Sequence, residues 1–214
     1  MRFALMIEPQ QDLTWELNLA IAQRAEAAGI ETLYRSDHYE SFPGPAGKRS
    51  TDAWATIAAL ARETTTLRHG TMVSPVTFRH PGNIAKVVAT VDEISGGRVE
   101  LGLGAGWHSD EHRRHGFDFP DRHSRIEMME EQFQIVNGLW TGGPGWSFHG
   151  THYQVDDAMY APRPVQTPRP PLIMGTKGPA RGLRTAAIAW SAGLLLLAVL
   201  ALAQRYWASP AALP

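Results

Sequence analysis

Short apolar runs alternate along the chain with longer stretches in which apolar residues recur every third or fourth position. The runs fall at 2–8 (RFALMIE), 32–36 (TLYRS), 68–74 (RHGTMVS) and 99–103 (VELGL), with starts about 30 to 36 residues apart. That spacing predicts repeated strand–helix units. Between the first two runs, Leu17, Ala20, Ile21, Arg24 and Ala28 follow helical spacing, and Gly29 is placed to end the helix. Thr51 is placed to cap DAWATIAALARE, and Pro81 suits the first turn of GNIAKVVATVDEIS. Ile126, Met129, Phe133, Val136 and Trp140 form a further stripe, read as core. WSFHGTHYQV then reads as a hairpin turning at Gly150, and a proline-rich connector leads to a fifth strand-like run at 172–174. Alternating strands and helices predict an α/β fold with a parallel sheet. Periodicity leaves open sheet and barrel equally open, and in either the ligands sit at the carboxyl ends of the strands.

The pattern breaks near residue 180. The stretch 185–203 (TAAIAWSAGLLLLAVLALA) has no charged residue and the length to span a bilayer. Arg181 and Arg184 precede it, and Arg205, Tyr206 and Trp207 follow. The chain is therefore expected to comprise a β/α unit at 1–184, a C-terminal apolar, transmembrane-type helix at 185–203 and a tail at 204–214. A frameshift or fusion is the other origin for this run. An outer helix of a barrel fits it less well, because such a helix keeps a polar face.

Charge and composition narrow the function classes. The 20 basic and 21 acidic side chains give no field that would draw in nucleic acid. The absence of cysteine excludes disulfides and thiolate metal sites. The N-terminal MRFALMIEPQQ lacks the long apolar run of a secretory signal.

The residues that follow each strand carry the candidate chemistry. They are Ser36, Asp37 and His38, then Ser74, Pro75 and Val76, then the loop from Gly104 through Gly106, Trp107 and His108 to Asp110, and last Gly175, Thr176, Lys177 and Gly178. An imidazole, two glycine loops, an aromatic face and a lysine suit a flat cofactor that carries a phosphate. Plainer readings stand beside this one. His38 reads by itself as a surface histidine, Asp37 equally as the cap of a turn, Trp107 as readily as a lid or core residue, and the glycines as tight packing at a barrel mouth. His108, His112, His115 and His123 resemble a metal cluster, but HSDEHRRH lacks the HExxH base, so a solvated helix with no metal is expected. Glu63, Glu127, Glu130 and Glu131 read as solvated helix faces.

RSDHY (35–39), TDAWA (51–55), SPVTFRHP (74–81) and DEISGGRVELGLGAGW (92–107) resemble the bacterial-luciferase-like superfamily, and more narrowly its oxidoreductases that use the deazaflavin coenzyme F420. The resemblance runs to about residue 184. It implies a TIM-barrel-type (β/α)8 fold, incomplete here at about five units. It also implies hydride transfer between F420 and a small organic substrate, with an FMN-dependent monooxygenase as the alternative. By the same resemblance His38 lies near the reactive carbon of the deazaflavin, and Asp37 orients that imidazole or contacts the cofactor. Met72 and Val73 match a non-proline cis peptide that, with Ser74, backs the ring. Gly106, Trp107, His108 and Asp110 flank the ring, and Gly175, Thr176, Lys177 and Gly178 meet the phosphate. Trp107 stands where the superfamily's sugar-phosphate dehydrogenases carry glutamate, which argues against a sugar phosphate. Relatives are cytoplasmic and often homodimeric, and the apolar run adds an expected membrane association. Five strands cannot close an eight-stranded barrel, so an unpaired edge and impaired activity are expected. An inactive, truncated, membrane-associated fragment is the reading from another class.

Overall fold

A computed structural model describes residues 3–175. The elements in order are β1 (Ala4–Ile7), α1 (Trp15–Ala27), β2 (Thr32–Arg35), α2 (Ala53–Glu63), β3 (Arg68–Thr71), β4 (Ser74–Pro75) and α3 (Pro81–Ser95). There follow β5 (Val99–Gly104), α4 (Ser109–His115), α5 (Arg122–Thr141), β6 (Trp146–His149), β7 (Gln154–Ala158) and β8 (Leu172–Gly175). All five expected strand runs form strands.

The main sheet is wholly parallel. β1 lies beside β2, β2 beside β3, β3 beside β5 and β5 beside β8, while the short β4 pairs with the far end of β5. Strands that step sideways in chain order, without the reversal of a doubly wound sheet, make the wall of a barrel. The fold is thus of the TIM-barrel type, and the described strands form an open part of the wall. Among the described residues, the outer edge of β1 pairs with no strand, and Phe3, Leu5 and Met6 are exposed there.

The core lies between the sheet and its helices. Trp54 and Ile57 of α2, Ile84 and Val88 of α3, and Phe133, Val136 and Trp140 of α5 close over Leu101, Leu103 and Leu172. Each such side chain contributes about 1.5–3 kcal/mol by leaving water. The α5 stripe is core as its spacing predicts, with Ile126 only partly buried. The α1 face differs from expectation. Asn18, Ala22 and Ala25 are buried, whereas Leu17, Arg24 and Ala28 are exposed. Small alanines pack against Leu33, Leu60 and Leu67, and Asn18 donates its amide to the Thr14 carbonyl, so the buried face is not the most apolar one.

Two helix starts show how the loops are pinned. Pro81 occupies the first turn of α3, as expected. The cap of α2 is Asp52 and not Thr51, because the Asp52 carboxylate reaches the Ala55 N–H at 2.8 Å. Thr51 instead accepts from Arg35 through its hydroxyl and its carbonyl. The hairpin β6–β7 turns through Gly150, whose N–H donates to the Tyr153 carbonyl. Glu131, expected on a solvated face, is buried beneath this turn and accepts the N–H groups of Thr151, His152 and Tyr153 at 2.6, 3.0 and 3.0 Å. Among the described residues no helix is long and apolar enough to cross a membrane. The run 185–203, on which the membrane reading falls, lies outside the described residues.

Candidate active site

A pocket of about 230 Å³ opens at the carboxyl ends of the strands. Its lining is Glu8 after β1, Ser36, His38 and Phe42 after β2, Met72, Val73 and Pro75 around β4, and Gly106 and Trp107 after β5. Three of the four loop tips singled out in the sequence therefore meet at one place.

The floor is built by glycine packing. The Met72–Val73 peptide is cis, as the resemblance implies. The Val73 side chain lies against strand backbone that has no side chains. A Cβ on Gly102, Gly104 or Gly175 would come within 2.9, 2.5 or 2.8 Å of it. Gly102 and Gly104 therefore serve close packing, which was the plainer reading of this motif. Gly106 adopts φ +76° at the pocket wall, a conformation side-chain-bearing residues rarely adopt.

His38 is largely buried and packs edge-on against Phe42, with ring centroids 4.3 Å apart. Its Nδ1 lies 2.8 Å from Oε2 of Glu111. Glu111 is wholly buried, and its other oxygen accepts the backbone N–H groups of Tyr39 and Glu40. Burial pushes the Glu111 carboxyl up, but the His38 contact and the two backbone donors outweigh it and hold the carboxyl below its usual range.

This geometry corrects two sequence expectations. HSDEHRRH is not a solvated helix, since Glu111 and His112 at the start of α4 face inward. His112 donates from Nδ1 to the His108 carbonyl at 2.7 Å and pairs with the Thr77 hydroxyl at 2.6 Å, and burial first of all lowers its pKa. Among the described residues no group of three His, Asp or Glu is placed to hold a metal ion.

The second correction concerns Asp37, which does not contact the His38 ring. Its buried carboxylate accepts from Ser74 Oγ at 2.6 Å and from Arg79 at 2.5 Å. Arg79 also bridges to Asp52 at 2.6 Å and to the Tyr39 hydroxyl at 3.2 Å. Burial alone would weaken the guanidinium's hold on its proton, yet Asp37, Tyr39 and Asp52 together raise its pKa. Asp37 thus fastens the loop after β2 to β4 and to the start of α3.

The remaining expected residues divide. Trp107 is 60% exposed and meets Phe42 edge-on at 5.0 Å, so it is a rim residue and not core. His108 caps α4, accepting the Glu111 N–H at 3.1 Å, and does not line the pocket. Asp110 is exposed and faces Arg113. Gly175 sits beside Val73, while Thr176, Lys177 and Gly178 lie outside the described residues. Sequence reading missed Glu8, Phe42 and Glu111. Glu8 and Ser36 are linked through Gln10, whose amide donates to Glu8 and whose carbonyl oxygen accepts from Ser36 Oγ at 2.5 Å. An aromatic just beyond RSDHY was the available signal for Phe42, and Glu111 had none.

The family model described as Luciferase-like monooxygenase matches residues 1–208. The chain belongs to this family. The matched residues run past Arg184, through the apolar stretch. An F420-dependent glucose-6-phosphate dehydrogenase of Microbacterium testaceum is 36% identical over 157 residues, covering 73% of this chain and 45% of that protein. An FMNH2-dependent dimethylsulfone monooxygenase of Pseudomonas putida is 29% identical over 177 residues, covering 82% of this chain and 47% of that protein. An F420-dependent secondary alcohol dehydrogenase, solved with an F420–acetone adduct, superposes with a TM-score of 0.76 at 24% identity. That superposition covers 91% of this chain and 57% of the other, and bears on the fold alone. The chain thus spans about half the length of the curated relatives it matches.

Proposed function

We propose that this chain acts in hydride exchange between a deazaflavin of the F420 type and a small organic substrate. The observation that carries this reading is the meeting of His38, Val73, Gly106 and Trp107 around one pocket. The pocket suits a flat ring. Met72, Val73 and Pro75 give it an uncharged floor, Gly106 offers no side chain to obstruct it, and the edges of Phe42 and Trp107 complement an aromatic face.

When bound, the deazaflavin supplies the ring carbon that gives or takes the hydride. His38 takes the matching proton from the substrate oxygen in the oxidative direction and returns it in reduction. Phe42, packed on the His38 ring, keeps water from that face. Asp37, with Ser74 and Arg79, holds the loop that carries His38 at its place over the floor.

The substrate we infer is a small neutral alcohol or carbonyl compound. Trp107 replaces the acid of the sugar-phosphate enzymes. Among the described residues that line the pocket, Glu8 is the one acidic side chain, and no arginine or lysine stands there to hold a phosphate. A second reading, reduced flavin mononucleotide with oxygen, is favoured by the likeness to the dimethylsulfone monooxygenase. Absorption and fluorescence spectra of the purified protein titrated with each cofactor separate the two. Perturbation of F420 is expected, and perturbation of flavin mononucleotide alone would reject the deazaflavin.

A further inference from the structure

We propose that Glu111 is a positioning residue that fixes His38 in the tautomer protonated on Nδ1, leaving Nε2 as the basic nitrogen presented to the pocket. The inference deepens the proposed function and rests on His38 as the proton-exchanging group.

The two oxygens of Glu111 have different partners. Oε1 accepts the backbone N–H groups of Tyr39 and Glu40, the latter at 3.1 Å. Oε2 faces Nδ1 of His38 at 2.8 Å. An ionised carboxylate accepts and never donates, so Nδ1 must carry the hydrogen of this bond. In the neutral ring its neighbour Nε2 then holds the lone pair, since the bond made by one nitrogen sets the tautomer of the other. Among the described residues Nε2 has no hydrogen-bond partner. The Glu111 side chain is 0% exposed, so no solvent competes for its oxygens. Its net lowering toward the ionised form accords with this arrangement. The backbone of Glu111 is held at the start of α4 by the His108 side chain, which accepts its N–H at 3.1 Å.

The division of oxygens makes one substitution decisive. In Glu111→Gln the amide has a single oxygen. Two backbone N–H groups compete for it, and turning the amide the other way would set its NH2 against both of them. The oxygen therefore stays with Tyr39 and Glu40, and the NH2 is directed at His38. Nδ1 must then accept, and the hydrogen moves to Nε2. The loop keeps its anchors while the tautomer inverts.

The test uses full-length protein with 15N-labelled histidine, above the pH at which imidazoles are charged. Two-bond proton–nitrogen spectra report which ring nitrogen carries hydrogen, and the His38→Gln spectrum assigns the His38 signals. Native protein is expected to show a bare Nε2, and Glu111→Gln a bare Nδ1, with a single cooperative thermal transition retained. A protonated Nε2 in the native protein, or the same tautomer in both, overturns the proposal. In F420-linked turnover, Glu111→Gln should lose about 100-fold or more in kcat, at the lower end of what general acid–base catalysis supplies, with KM little changed. Unaltered kcat likewise overturns it. Native protein that inverts its tautomer on substitution yet never reacts with F420 sinks the proposed function while supporting the geometry assigned to Glu111.

Discussion

Val73 fills the space in which Gly104 would carry a side chain, with Cγ2 2.5 Å from the position of a Cβ built there. Gly102 and Gly175 approach the same side chain, so adjacent strands β5 and β8 form one socket for it. Gly104→Ala must push Val73 toward the pocket. Such overpacking costs about 1–3 kcal/mol. Urea unfolding should show that loss together with weaker cofactor binding, and Val73→Ala in the same chain should restore part of the stability. Full stability in Gly104→Ala would mean that the socket has slack.

Among the described residues Arg79 forms the direct ion pair with the buried carboxylate of Asp37, and the buried Arg35 adds a weaker attraction without a direct contact. Removing one member of a buried pair leaves the other uncompensated, at about 3–5 kcal/mol. Arg79→Met should cost an amount in that range in chemical denaturation, the half-buried Asp52 adding little to it. Adding Asp37→Asn should return a substantial part. Simple additivity of the two substitutions would show that the charges are not coupled.

His69 of β3 is buried, with its Nε2 2.8 Å from the Thr64 hydroxyl. Burial, assisted by the nearby Arg98, lowers its pKa from 6.5 to about 4. Folded value lies below unfolded value, so between pH 6.5 and 4 the unfolded chain binds a proton that the folded chain refuses. Stability should therefore fall as pH drops through this window, by at most about 1.4 kcal/mol per pH unit. Urea midpoints measured from pH 7 to 4.5 should show the decline, and His69→Gln should make it shallower, leaving the part that the buried His112 contributes.

The sheet was legible because strand spacing and the punctuating Gly29 and Pro81 are local signals. The active-site contacts were not, and Asp37 shows why. It neighbours His38 in the chain, which suggested a partnership, but successive residues leaving a strand point to opposite sides. Asp37 turns to Ser74 and Arg79, while His38 meets a carboxylate 73 residues further on. Glu111 and Glu131 are both acids on helices that looked solvated. Each is buried because backbone N–H groups from another segment converge on it, and no periodicity marks such donors in advance. The interior face of α1 was misread for a related reason. Close packing there selected Ala22 and Ala25 over the bulkier Leu17.

Glu26 fastens the loop before β3, accepting the N–H groups of Thr65, Thr66 and Leu67 at 2.8, 2.6 and 2.9 Å. Slight burial pushes its carboxyl up, but these donors and the Thr66 hydroxyl prevail and bring it down from 4.5 to about 2. With the folded value below the unfolded one, its stabilisation is complete above pH 4.5 and is lost as pH falls from there toward 2. The group is near solvent, so the effect is a modest one. Glu26→Gln keeps one acceptor oxygen and removes the charge. Its stability should fall less steeply than that of the native chain between pH 4.5 and 2, while the decline between pH 6.5 and 4.5, to which His69 and His112 contribute, stays as it was. Identical acid limbs in the two proteins would show that the Glu26 charge does not hold this loop.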